Sequence, residues 1–249
     1  MLPSNIKLIV DFTLGDGWIG YHSKTHSLPY MRLEHGQKQV FYAKHKEQRL
    51  LNAGYELSSR LYSPKTGKNV GKYYYQINTD QHKDFDTARK WMYNKNKKRI
   101  DRALLRQLDA ESLAYLFMDD GSAKHRQYNV NKDKSRIYFE QPRTFAYRIA
   151  TMSFSYEENV LLLQWLKEKF DIEARLEKAY NSFGIIMFNT ESKDKFRDTI
   201  KQYITEDMLY KIQAPHTFAG MSSVIVVAEE TERENTIQYS DATVQNILN

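Results

Sequence analysis

Residues 9–17 of the chain read IVDFTLGDG, and residues 113–121 read LAYLFMDDG. Each stretch is an apolar run of helical length that closes on Asp-Gly, the first at Asp16 and the second at Asp120. A carboxylate at the C-terminal end of a helix faces the negative end of the helix dipole, which costs about 0.3–1 kcal/mol. A hard divalent cation such as Mg²⁺ would offset that cost, because it prefers oxygen ligands. The repeat therefore predicts two buried helices with a metal site at their C-terminal ends.

The length and composition of the chain limit its class. At 249 residues it is long enough for one large domain or two small ones, and the repeat favours two. The sequence has no apolar run of about 18 residues and no leader of the secretory or transit type, so we expect a soluble intracellular protein with no membrane partner. Cysteine is absent, which excludes disulfides and thiolate metal sites.

Charge is unevenly distributed along the chain. Residues 221–249 hold five acids and one base, so residues 1–220 hold 36 bases against 26 acids, a net charge of +10. A net positive charge of this size indicates a protein that binds a polyanion. The alternative is ordinary surface charge that serves only solubility.

Apolar periodicity and capping residues predict the order of the other elements. The motif helices are expected to start at residues 3–5 and at Asp109. Further helices are predicted over residues 40–52, 83–93, 157–170 and 193–204, and strands over 30–34, 57–62, 72–78, 145–151, 173–178 and 185–189. A basic connector spans residues 94–108, and residues 224–227 are a candidate edge strand. The same grouping of strands and helices follows each motif, which indicates an α+β repeat with antiparallel sheets.

The two stretches resemble the two motif copies of a single-chain LAGLIDADG homing endonuclease, with Asp16 and Asp120 at the acidic eighth position. The second copy is most similar to the subgroup of the yeast mitochondrial omega-intron enzyme. In the first copy, Thr13 and Gly15 replace the Ile and Ala of the pattern, and a small Gly15 suits close helix packing. The resemblance implies two αββαββα halves related by a pseudo-twofold axis, with the motif helices packed together along it.

The resemblance also implies how the chain is divided. The first half would comprise residues 1–101 and the second half residues 102–214. Residues 215–249 would form a C-terminal extension, to which we assign no role.

The activity implied by the resemblance is site-specific cleavage of double-stranded DNA. A monomer would cut both strands of a long asymmetric site with Mg²⁺ and leave 3′ overhangs. Mn²⁺ would substitute for Mg²⁺, and Ca²⁺ would support binding without cleavage. An RNA-binding maturase that assists its host intron, and a DNA-binding regulator without catalysis, are the alternatives.

The resemblance assigns one acid and one lysine per half to catalysis: Asp16, Asp120, Lys98 and Lys211. Both acids would bind metal jointly, with Gly15 and Asp119 beside them in the metal site. The lysines would stabilise charge on the phosphate or tune the pKa of a water. Lys97 is an alternative to Lys98. Asp119 is either a group that supports the metal ligands or an exposed carboxylate, and we favour the exposed carboxylate.

The polar face of each sheet is expected to contact DNA, and strand alternation predicts which side chains lie on it. In the first half the candidates are Tyr30, Arg32, Glu34, Arg60, Tyr62, Lys72, Tyr74 and Gln76. The second half, where the alternation is less regular, offers Arg148, Arg175 and Lys178. In the major groove Arg can pair with guanine and Gln with adenine. Roughly half of the candidates are expected to contact phosphates or solvent instead, since most protein–DNA hydrogen bonds go to the backbone.

The cellular location depends on where the gene resides. An organellar gene would place the protein in the organelle matrix, and any other source would place it in a bacterial or phage-infected cytoplasm. Host intron RNA is a possible further partner in either case.

Overall fold

A computed structural model describes residues 1–22, 27–125, 145–179, 182–187 and 189–213. The first series of elements is α1 (Ser4–Leu14), β1 (Trp18–Gly20), β2 (Tyr30–Gly36), a 3-10 turn (Gln37–Gln39), α2 (Val40–Asn52), β3 (Leu57–Tyr62), β4 (Tyr74–Thr79) and α3 (Lys83–Met92). A small hairpin and a short helix follow: β5 (Tyr93–Asn94), β6 (Lys97–Lys98) and α4 (Arg102–Leu105). The second series is α5 (Ala110–Asp120), β7 (Gly121–His125), β8 (Phe145–Ile149), α6 (Tyr156–Phe170), β9 (Arg175–Ala179), β10 (Ser182–Met187) and α7 (Thr190–Ile200), with 3-10 turns at Lys201–Tyr203 and Glu206–Lys211.

Two four-stranded antiparallel sheets have the same strand order. The first is β1-β2-β4-β3 and the second is β7-β8-β10-β9. Each series of elements has the order αββαββα, with a motif helix at its start. The α+β class with antiparallel sheets, which the sequence predicted, is confirmed.

The motif helices α1 and α5 pack against each other in parallel. At their N-terminal ends, Lys7 forms ion pairs with Asp11 at 2.7 Å and with Asp109 at 3.0 Å. The Ser112 hydroxyl donates to the buried Asp11 carboxylate at 2.6 Å. The same Ser112 forms a capping box with Asp109, which begins α5 as expected. These polar contacts fix the relative register of two helices whose other surfaces are almost entirely apolar and buried.

Several boundaries differ from the sequence-based expectation. Strand β4 begins two residues later than predicted, β10 begins three residues earlier and α7 begins at Thr190, where the Asn189 side chain caps the helix. Strands β1 and β7, which directly follow the motif helices, were not predicted. Both are short or polar and form because they pair with β2 and β8, a tertiary contact that propensity does not report.

The basic connector, residues 94–108, contains most of the β5–β6 hairpin and all of α4. The predicted edge strand at residues 224–227, like the whole extension 215–249, lies outside the described residues. None of the helices in the described parts of the chain is both long enough and apolar enough to cross a membrane.

Candidate active site

The C-terminal ends of α1 and α5 meet at Gly15. A Cβ atom placed on Gly15 would lie 2.3 Å from Cβ of Asp119 and 2.6 Å from its Oδ2. Such contacts are far below any van der Waals separation, so only glycine permits this approach. The resemblance placed Gly15 beside the acids in the metal site, and that metal role stays a prediction. The structure gives Gly15 a packing role, and its carbonyl accepts a hydrogen bond from the Lys98 ammonium.

Replacing Gly15 with Ala is therefore expected to destabilise the fold. We expect Gly15→Ala to lower the free energy of unfolding by about 1–3 kcal/mol, because the new methyl group overpacks a rigid contact. Urea denaturation would measure the shift. Gly36→Ala is the matched control, since no atom lies within 4 Å of a Cβ at Gly36 and its backbone is extended. Equal denaturation midpoints for the two variants would contradict this packing role.

Lys98 and Lys211 occupy equivalent positions at the ends of the two motif helices. The Lys98 ammonium donates to the carbonyl of Gly15, and the Lys211 ammonium donates to the carbonyls of Met118 and Asp119. Each lysine thus lies at the negative end of a helix dipole, where a positive charge is favourable. Lys97 is exposed, whereas Lys98 is half-buried, so the structure brings Lys98 to the site and leaves Lys97 outside.

Asp16 and Asp120 share a site in which negative charge is incompletely compensated. Burial, followed by the charges of Asp16 and Asp119, raises the pKa of Asp120 to about 7. Burial and the charge of Asp119 also raise the pKa of Asp16. Burial lowers the pKa of Lys98 and of Lys211 despite the nearby carboxylates. A pair of carboxylates that resist ionisation together fits a hard divalent cation, which would supply the missing positive charge.

Asp119 differs from its prediction as an exposed carboxylate. Its side chain is 0% exposed and forms an ion pair with Lys46, also 0% exposed, at 2.7 Å. The carboxylate accepts three further hydrogen bonds, at 3.0 Å from Lys46, at 2.8 Å from the Tyr42 hydroxyl and at 3.1 Å from the Asp16 backbone N–H. Burial alone would raise the pKa of Asp119, but Lys46 and its other partners hold it below the ordinary value. The interpretation as an exposed carboxylate is therefore wrong.

The same contacts bear on the metal role assigned to Asp119. Potential ligand atoms of Asp16, His35 and Asp119 all lie within 4.8 Å of one another. However, the Lys46 ammonium already provides a positive charge there, since it lies 3.4 Å from Nε2 of His35 and contacts both oxygens of Asp119. Burial, followed by the charge of Lys46, lowers the pKa of His35 to about 3. We therefore consider Asp16 and Asp120 the better ligand pair.

Sequence reasoning missed Lys46, Tyr42 and His35. One signal was available for Lys46. The buried face of α2 consists of Tyr42, Ala43, Lys46 and Leu50, so a lysine occupies a core position of an amphipathic helix. A lysine in such a position requires a buried partner of opposite charge.

Comparison with known proteins places the chain in a family. The LAGLIDADG DNA endonuclease family model matches residues 7–196. The chain belongs to this family. A probable intron-encoded DNA endonuclease 3 of Mycosarcoma maydis is 30% identical over 143 residues, which cover 55% of this chain and 92% of the relative. The DNA endonuclease I-ChuI of Chlamydomonas applanata is 25% identical over 217 residues, which cover 82% of this chain and 92% of the relative.

A solved structure shows the same fold. The homing endonuclease I-WcaI bound to its DNA recognition sequence matches this LAGLIDADG chain with a TM-score of 0.69 and 24% identity, over 87% of this chain and 89% of that one. The resemblance to LAGLIDADG homing endonucleases, stated from the two motif copies, is confirmed.

In the first sheet of this LAGLIDADG protein, the candidate DNA-contacting side chains share one face. The strand register places Arg32 opposite Asn78, Glu34 opposite Gln76, and Gln76 opposite Arg60. The same pairing aligns Tyr62 with Tyr74. The core lies on the other face, with Met31, Leu33, Tyr75 and Ile77.

The polar face of the first sheet carries its own hydrogen bonds. Arg60 donates to Gln76 at 3.1 Å, and both Gln76 and Tyr62 donate to Glu34, at 3.1 and 2.6 Å. Gln76 is also only 5% exposed. A base edge that engages these groups must therefore replace contacts that already exist.

Two candidates on the first sheet differ from expectation. Tyr30 lies on the polar face but is only 4% exposed, because its ring stacks on His22 at 3.8 Å and packs against Trp18. Lys72 is exposed but precedes β4, so it lies in a connection and not on the strand as predicted.

In the second sheet, Arg148 and Arg175 lie on one face, on either side of Ile186. Arg148 forms an ion pair with Glu177 on the same face. Lys178 pairs with Phe183 on the opposite face, because alternation reverses the direction of side chains three residues apart. Lys178, a candidate DNA contact together with Arg148 and Arg175, therefore lies on the other face of the sheet from them, and its contact with DNA stays a prediction.

Proposed function

We propose that the chain is a divalent-metal-dependent endonuclease that hydrolyses one phosphodiester in each strand of a DNA duplex. One observation carries the proposal: two parallel helices of a single chain end together, and each end brings one acid and one lysine to the junction, Asp16 with Lys98 and Asp120 with Lys211. Phosphodiester hydrolysis needs an activated water and a stabilised leaving oxygen, and this set of groups can serve both needs.

The two acids would hold the metal through their carboxylate oxygens. When bound, Mg²⁺ supplies a Lewis acid and lowers the pKa of a coordinated water. We expect each lysine ammonium to donate a hydrogen bond to a phosphate oxygen as negative charge develops there. Both ammonium groups are already held at the helix ends by backbone carbonyls, so little reorganisation precedes the reaction.

The form of the DNA site that we propose follows from the different polar side chains on the two sheets. We propose that residues 1–101 and residues 102–214 each contact one side of the site through their sheets. The first sheet offers Arg32, Glu34, Arg60 and Gln76, whereas the second offers Arg148 and Arg175. Because the two faces differ, the site would be long and asymmetric, and a monomer would suffice to cut both strands. Family resemblance supports 3′ overhangs.

A cleavage screen tests the proposal. The full chain is incubated with a randomised duplex library, or with the uninterrupted host gene, and linearised product is recovered at moderate salt, where non-specific binding to a polyanion is weakened. We expect cleavage with Mg²⁺ and with Mn²⁺, and binding without cleavage with Ca²⁺. If the chain cuts no duplex but binds host intron RNA tightly and specifically, we would conclude that it is a maturase and not an endonuclease. Specific duplex binding without cleavage in any of these metals would instead favour a regulator.

A further inference from the structure

The Lys46–Asp119 pair lies beneath the candidate active site and takes no direct part in the proposed chemistry. Both side chains are fully buried, and Lys46 contacts both carboxylate oxygens of Asp119. Transfer of two charges from water into a protein interior is costly, and a well-packed apolar pair is often as stable or more stable. Packing alone therefore does not account for this pair.

The pair acts on Asp16 through the backbone. Asp119 Oδ2 accepts a hydrogen bond from the Asp16 N–H at 3.1 Å, across the close contact that Gly15 permits. Helix α1 ends at Leu14, so the Asp16 peptide lies beyond the regular helix. The Asp16 side chain is 40% exposed, and burial therefore does not fix its position.

The His35 ring lies between the Lys46–Asp119 pair and the Asp16 carboxylate. Nδ1 of His35 lies 3.8 Å from Oδ2 of Asp16, and Nε2 of the same ring lies 3.4 Å from the Lys46 ammonium. The His35 ring also packs edge-on against Tyr42, whose hydroxyl donates to Asp119. Lys46 thus supports the backbone of Asp16 through Asp119, whereas the His35 ring lies beside the Asp16 side chain without a hydrogen bond to it.

Asp120 has no equivalent support among the described residues. Gly15 occupies the position in the first motif that Asp119 occupies in the second, so α1 offers no carboxylate to the backbone of Asp120. Helix α6 is the counterpart of α2, and its buried side chains are Asn159, Leu162, Trp165 and Leu166, none of them charged. The arrangement is therefore one-sided.

We infer that Lys46 and Asp119 are positioning residues for Asp16 and not for Asp120. With each acid–lysine pair acting on one strand, the strand cut by Asp16 and Lys98 then depends on Lys46 and Asp119, and the strand cut by Asp120 and Lys211 does not. The inference rests on the proposed catalytic role of Asp16. It concerns the placement of that acid and not the binding of DNA.

Two double variants test the inference without leaving a buried charge unpaired. Lys46→Met with Asp119→Ala removes both charges and the acceptor for the Asp16 N–H. Lys46→Met with Asp119→Asn removes the same charges but retains an amide oxygen as acceptor. Thermal unfolding and DNA binding with Ca²⁺ establish that each variant folds and binds.

Single-turnover cleavage of strand-labelled duplex gives the decisive measurement. For the Ala variant we expect one strand to be cut about 10- to 100-fold more slowly, with little change in the other, because a small displacement of a reacting group has effects of this size. Nicked product should accumulate. The Asn variant should cut that strand at close to the wild-type rate. Asp16→Glu should slow the same strand, and Asp120→Glu the other.

The outcomes separate this inference from the proposed function. Equal slowing of both strands, or equal behaviour of the Ala and Asn variants, would reduce the pair to a structural role and overturn the inference while the nuclease stands. A wild-type chain that cuts no duplex would overturn both. Hydrogen exchange of the Asp16 amide gives a readout besides activity. Exchange should be faster in the Ala variant than in the Asn variant. Equal exchange rates would show that position 119 does not hold the Asp16 N–H by a hydrogen bond.

Discussion

Asp16→Asn and Asp120→Asn are each expected to abolish double-strand cleavage. Asparagine keeps the size of the side chain but removes the charge with which the carboxylate would bind a divalent cation. Folding and duplex binding with Ca²⁺ should remain close to wild type. The measurement is cleavage of a plasmid that carries the target, followed over a range of Mg²⁺ concentrations. Near-wild-type cutting by either variant would refute a mechanism that needs both acids.

Stability gives an independent check on the same variants. The pKa of Asp120 is raised to about 7 in the folded protein, so the folded state disfavours the ionised carboxylate. Without metal, the contribution of Asp120 to stability should therefore fall as the pH rises from its ordinary pKa through about 7. Asp120→Asn should lack this pH dependence and be at least as stable as wild type above that range. Asp80→Asn, at an exposed acid, serves as the control.

Lys98→Met and Lys211→Met should each lower the cleavage rate by about 10²-fold or more, with little change in affinity. Methionine has a similar length and suits the buried surroundings of these side chains, so the change removes mainly the charge. Single-turnover rates at saturating enzyme separate the chemical step from binding.

Lys97→Met is the matched control for the lysine variants, since Lys97 is the exposed neighbour of Lys98. It should cut at nearly the wild-type rate. If Lys98→Met and Lys211→Met weaken binding and leave the rate at saturation unchanged, both lysines are contacts to the DNA backbone and not catalytic groups. A loss of equal size in Lys97→Met would show that general positive charge matters more than position.

Local signals predicted the parts of the fold that depend on neighbours in sequence. The bounds of α2 and β3 agree with prediction, and α5 begins after Asp109 because its capping box lies within four residues. Alternation also placed Arg32 and Gln76 on the polar face. Lys178 was a candidate together with Arg175, although the same rule puts the two side chains on opposite faces.

The remaining features depend on contacts between distant parts of the chain. Strand β7 exists because it pairs with β8, and its residues have little strand propensity of their own. The ion pair of Lys46 with Asp119 joins residues 73 positions apart, so no local pattern reveals the partner. From sequence alone, Asp119 is an ordinary acid beside a conspicuous motif residue, and only the close approach of α1 and α5 shows why it is buried.

The contact between Gly15 and Asp119 makes the two halves complementary and not interchangeable. A dimer of two first halves would bring glycine against glycine and leave each Lys46 ammonium buried without its carboxylate. A dimer of two second halves would place two Asp119 carboxylates in the space that one glycine now clears. Gly15, Lys46 and Asp119 therefore fit together only when two unlike halves are paired. A chimera built by exchanging one half with a relative must keep all three residues together or replace all three.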